Sequence, residues 1–100
     1  MFIISTTTFP PDKAVQISKK FIKATENPLP SFIKRHYVLN GTGGELGVKV
    51  LGIYEVDDAK VTEGIKELTK YFVQFYDVEG FRYNLEPMLP AVETIPLLGI

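Results

Sequence analysis

The sequence contains no cysteine and no tryptophan. Without cysteine there is no disulfide, no thiolate metal site and no cysteine nucleophile. A single histidine, His36, excludes a multi-histidine zinc or iron site unless several subunits contribute ligands. An excess of one charge is also missing: 11 Lys and Arg stand against 12 Asp and Glu, for a net charge of -1. A nucleic-acid binder normally carries a basic stripe, so neither nucleic acid nor a membrane surface is an expected partner. No apolar run approaches the roughly 20 residues of a membrane span. Met1-Phe2-Ile3-Ile4 turns polar at Ser5 to Thr8 and lacks the basic start and long apolar middle of a signal peptide. The expected location is the cytoplasm.

What is present is material for one soluble domain. One hundred residues, 45% apolar and 23% charged, support a single core. The most informative stretch is Leu46 to Val56. Its even positions (Leu46, Val48, Val50, Gly52, Tyr54, Val56) are apolar or small, and its odd positions carry Leu51 and Ile53 between Lys49 and Glu55. Successive side chains on a strand point to opposite faces. This strand therefore faces a core on one side and is apolar only at its centre on the other, as an inner strand would be.

Before it, Met1 to Phe9 is β-branched and reads as a strand, its three threonines explained by β-propensity. Pro10 and Pro11 suit the first turn of a helix. That helix carries the stripe Ala14, Ile17, Phe21 and Thr25, widened by Val15 and Ile22, and ends at Asn27-Pro28-Leu29-Pro30. Its lysines at 13, 19, 20 and 23 form a solvated face. Ser31 to Leu39 is a second strand, turning at Asn40-Gly41 into the glycine-rich loop 42–45. The loop fails as a phosphate cradle: position 46 is Leu where GxGxxG needs Gly, and a strand follows where a helix should begin. It reads as a hairpin loop needing positive φ.

After the central strand, Asp57 or Asp58 is the expected N-cap of a second helix. Val61, Ile65, Leu68, Phe72 and Phe75 follow as its apolar stripe, and Gly64 suggests a close crossing with the first helix. Phe81 to Glu86 alternates as a fourth strand, placed at an edge by Pro87 and Pro90. The expected domain spans residues 1–86. Residues 87–100, with one charge among many apolar side chains, form a C-terminal arm expected to pack on the domain or on a dimer partner.

The element order is βαββαβ, which defines an α+β protein of the ferredoxin-like type: a four-stranded antiparallel sheet in the order 4-1-3-2 with two helices on one face. Pairing Tyr37 with Val48 places Ile33, Tyr37, Leu39, Leu46, Val48, Val50, Phe81, Tyr83 and Leu85 under the helices. The other face then collects Phe32, Lys34, His36, Val38, Lys49, Leu51, Ile53, Glu55, Arg82, Asn84 and Glu86. An apolar middle with a charged surround is how an interface is built, and two helices cannot cover both faces of the sheet. On this element order and the two-sided strand at 46–56, residues 1–86 resemble the dimeric α+β barrel superfamily, in which two ferredoxin-like subunits pack sheet against sheet. The resemblance implies a homodimer or higher homo-oligomer. Members include small monooxygenases, isomerases and lyases, haem-degrading enzymes and ligand-sensing domains. One edge-strand histidine does not supply the axial ligand that the haem enzymes need, and no cofactor is expected.

Two uses fit this frame. In the first, a small molecule is bound or transformed in a pocket near the sheet. His36, set across from Lys49, is the candidate proton acceptor, because a neighbouring ammonium disfavours imidazolium. Lys49, Glu55 and Arg82 complete the candidate ligand-binding set. In the second, the protein is a non-catalytic ligand-sensing or assembly module whose apolar arm latches onto a neighbouring subunit. No nucleophile, base and orienting group are legible together, and a fold does not supply a reaction.

Overall fold

The first strand, β1 (Phe2–Phe9), is stopped by Pro10, and a 3-10 turn at Pro11–Lys13 leads into helix α1 (Ala14–Ala24). Strands β2 (Lys34–Thr42) and β3 (Val48–Glu55) form a hairpin. Helix α2 (Val61–Val73) and strand β4 (Arg82–Met88) follow, and the chain ends in a short helix α3 (Ala91–Thr94) and a 3-10 turn at Ile95–Leu98. This computed structural model describes all 100 residues. The four strands make one antiparallel sheet in the order β2-β3-β1-β4, and the arrangement is α+β and compatible with a ferredoxin-like fold. Pro87 lies in β4, an edge strand, where a missing N–H costs no ladder bond to a further neighbour. No helix is long and apolar enough to cross a membrane.

The hairpin differs from the sequence expectation. Asn40-Gly41 does not turn the chain but continues β2, and the reversal falls at Gly43–Gly47. Gly44 and Gly47 carry it with φ of 60° and 88°, and a β-carbon at Gly47 would collide with the Phe9 carbonyl. Only glycine meets both demands at position 47. The register moves accordingly. Tyr37 pairs with Ile53 instead of Val48, and His36 is the extra residue of a β-bulge between Arg35 and Tyr37. A bulge places two residues opposite one and changes which side chains follow on each face. Tyr37 and Leu39 therefore share the helix-free face with Leu51 and Ile53, whereas Val38 and Asn40 turn towards the helices.

Two clusters hold the helices to the sheet. Ile3, Ile33, Tyr54, Val56 and Leu68 form one, and Phe9, Ile17, Phe72, Phe75 and Val78 form the other. Most of the α2 stripe is buried as its spacing requires. The α1 stripe is narrower than its sequence, since Val15 and Ile22 are two-thirds exposed and Thr25 also faces water. Gly64 meets the sheet, not α1: a β-carbon there would stand 3.1 Å from Val56 Cγ1 and 3.2 Å from Ile3 Cδ1. Asp57 and Asp58 cap no amide of the following turn; Asp58 instead accepts from the Met1 ammonium at 2.9 Å. Lys20 ties α1 to the end of α2 by donating to Asp77 and to the Gln74 carbonyl, each at 3.1 Å.

The arm after Pro90 stands in water. Val92, Leu97, Leu98 and Ile100 are each more than 70% exposed. The radius of gyration is 15.0 Å, against roughly 13 Å for a compact chain of this length, as a projecting arm requires.

Candidate functional site

The sheet's helix-facing side can be read row by row from the pairing. Ile3 and Tyr54 are neighbours in one row, and Phe9 and Val48 in the last. Between them lie Leu85–Ser5–Gly52–Val38 and Tyr83–Thr7–Val50–Asn40. The outer rows are bulky and reach the two core clusters. The two middle rows have serine, threonine and glycine at their centre, and these are too short to fill the space below the helices. A cavity of about 300 Å³ results, floored by Ser5, Thr7, Val50 and Gly52 and roofed by Ile17, Phe21, Tyr71, Phe72 and Phe75. That volume is at the small end of ligand pockets.

Polar groups enter this apolar space in fixed positions. Ser5 and Thr7 are 3% and 5% exposed. The Thr7 hydroxyl donates to the Val50 carbonyl at 3.4 Å, Ser5, Asn40 and Tyr54 also line the space, and no buried side-chain polar atom of the fold lacks a partner. Gly52 lets the Tyr54 ring fold back beside Ser5. A methyl group at 52 would overlap Ser5 Oγ and stand 2.8 Å from Tyr54 Cε2 and 2.9 Å from its hydroxyl oxygen. On the roof, burial pushes the Tyr71 hydroxyl up to about 12, with the nearby Arg35 guanidinium working the other way. Tyr71 is thus a neutral hydrogen-bonding group at ordinary pH. Arg35 itself lies against three rings, 5.7 Å from the centres of Phe21 and Tyr71 and 5.6 Å from that of Tyr54.

The four residues singled out from the sequence lie on the opposite, helix-free face. His36 is not across from Lys49, because the bulge and the longer hairpin bring it to Glu55, with Nε2 and Oε1 2.7 Å apart. Phe2 leans on the same imidazole, ring centres 5.9 Å apart. Lys49 and Arg82 flank Thr8 in the final row of that face. Glu55 is six residues from Lys49 along β3, a separation of roughly 20 Å on an extended strand. The set therefore forms two groups, His36–Glu55 at one end and Lys49–Arg82 at the other, and none of its members lines the cavity. Between the groups the face presents Ile4, Tyr37, Leu39, Leu51 and Ile53, of which Tyr37 and Leu39 are 60% and 48% exposed.

Of the cavity residues only Thr7 stands in a stretch that the sequence offers as a polar site, the threonine run at 6–8, and β-propensity accounts for that run equally well. One signal for them exists: the inward positions of β1 read Ile3, Ser5, Thr7, Phe9, with a polar pair where the middle of a filled core would be apolar. Gly52 beside Ser5 is its counterpart on the next strand. No protein-family model matches this chain, and no curated protein is significantly similar to it.

Proposed function

We propose that the chain is a small-molecule-binding protein of ferredoxin-like architecture that works as a homodimer, in the manner of the dimeric α+β barrels. The observation that carries the binding role is the cavity's polar floor. Ser5 and Tyr54 are each 3% exposed and line an otherwise aromatic and aliphatic space, in a fold that leaves no buried side-chain polar atom without a partner. Their hydroxyls give a ligand in that space fixed points for hydrogen bonding, as the few polar groups of a mostly apolar small-molecule pocket do. The dimer reading rests on the helix-free face, whose apolar middle of Ile4, Leu39, Leu51 and Ile53 is bordered by His36–Glu55 and by Lys49 and Arg82. An apolar core with a charged rim is the composition of a protein interface.

The placement of the titratable groups favours binding over catalysis. The cavity is lined by hydroxyl, amide and aromatic side chains, while His36, Lys49 and Glu55 belong to the other face. In this reading the charged residues make pairs across the subunit boundary, and ligand binding below the helices is sensed by the sheet they share. Sedimentation tests the dimer. Wild-type protein is expected to sediment as a dimer at micromolar concentration and Leu51→Asp as a folded monomer. A wild-type monomer at 100 μM overturns the dimer reading.

A further inference from the structure

We propose that Arg35 is the anion-recognition residue of the cavity and that the ligand is an aromatic carboxylate. The inference rests on the reading of the cavity as a ligand site and adds its chemistry. The fold contains three ion pairs, Met1–Asp58, Lys20–Asp77 and His36–Glu55, and Arg35 belongs to none of them. Its guanidinium is instead held by Phe21, Tyr54 and Tyr71, all within 6 Å and all lining the cavity. A cation over three ring faces is positioned without being neutralised. Phe21 and Tyr71 also line a second pocket, of about 260 Å³, that includes Arg35 itself, beside the Asn27–Leu29 loop. Arg35 thus stands at the partition between the cavity and the surface, where a ligand's charged end can stay hydrated while its body enters.

The body follows from the walls. Phe21, Tyr71, Phe72 and Phe75 offer ring faces and edges, and flat aromatic groups pack against these in offset or edge-on arrangements. The head group follows from the fork: a guanidinium presents parallel N–H donors matched to the two oxygens of a carboxylate. Ser5 and Asn40 remain to pair with a further polar substituent on the ring.

The test titrates the full chain with 2-naphthoate, with its uncharged amide 2-naphthamide and with octanoate, followed by amide chemical shifts. Naphthoate is expected to shift residues around Ser5, Phe21, Arg35 and Tyr71 and to bind at least tenfold more tightly than either comparison compound. Arg35→Gln is expected to weaken naphthoate binding by about 10- to 100-fold, the range of a hydrogen bond to a charged group, and to leave naphthamide unchanged. Arg35→Lys, which keeps the charge and loses the fork, is expected to fall between wild type and Arg35→Gln, and it serves alone if the glutamine variant does not fold. Equal affinities for naphthoate and naphthamide, or equal losses for both in Arg35→Gln, overturn the role of Arg35 while leaving the cavity a ligand site. Octanoate binding as tightly as naphthoate overturns the aromatic assignment. No binding by any of the three, or shifts confined to Leu39, Leu51 and Ile53, overturns the cavity reading and this inference with it.

Discussion

Gly52→Ala adds one methyl group at the point where the cavity floor is tightest. Two effects oppose each other there. Removing a glycine from a strand interior stabilises by roughly 0.5–1 kcal/mol through the unfolded chain. Against this, the new carbon would overlap Ser5 Oγ and sit 2.8 Å from Tyr54 Cε2, well inside contact distance. Overpacking of this kind costs about 1–3 kcal/mol. Ser5 belongs to the neighbouring central strand and is 3% exposed, so it cannot swing into solvent. The Tyr54 ring has the cavity to move into, which keeps the cost below the top of the range. The steric effect wins, for a net loss of about 1–2 kcal/mol and a melting temperature lower by about 5–15 °C for a domain of this size. Urea denaturation checks it, with a lower midpoint at unchanged slope. Adding Ser5→Ala removes the main obstruction and is expected to recover part of the loss. A Gly52→Ala protein as stable as wild type would refute the reasoning, since it would mean that Tyr54 and Ser5 do not press on position 52.

Tyr71 gives a pH signature. Its hydroxyl ionises near 10 in the unfolded chain and is raised to about 12 in the native one, chiefly by burial. The unfolded state therefore loses its proton first, and this contribution to stability, complete below pH 10, is lost as pH rises from 10 towards 12. Tyr71→Phe is expected to flatten the alkaline fall in unfolding free energy over that interval; an unaltered fall would place Tyr71 outside it. Deleting the residues after Pro90 removes exposed Val92, Leu97, Leu98 and Ile100. Under the dimer reading the truncated chain keeps its melting profile at low concentration but dissociates at least tenfold more readily, as sedimentation would show. An unchanged dissociation constant would remove the arm from the interface.

Much of the secondary structure was readable because each element carries its own period. The α2 stripe from Val61 to Phe75 and the alternation at Phe81 to Glu86 needed no partner to interpret. The hairpin between β2 and β3 was less readable. Asn40-Gly41 is a strong local turn signal, yet Gly47 can form a turn against the Phe9 carbonyl, a partner 38 positions away that no local window includes. The bulge at His36 then exchanged the faces of Tyr37, Val38 and Leu39 and separated His36 from Lys49. Local preference was overruled by packing between strands.

The α+β class, the element order and the helix-facing residues of β3 and β4 followed from the sequence alone, because period and punctuation are local properties of a chain. The cavity did not. Ser5, Gly52, Asn40 and Tyr71 come from four different elements, and their adjacency exists only once pairing fixes which short side chains share a row. The position of Arg35 over three rings from α1, β3 and α2 is likewise a product of the assembled layers. Side-chain type was written in the chain, but the space between side chains was decided by the tertiary fold.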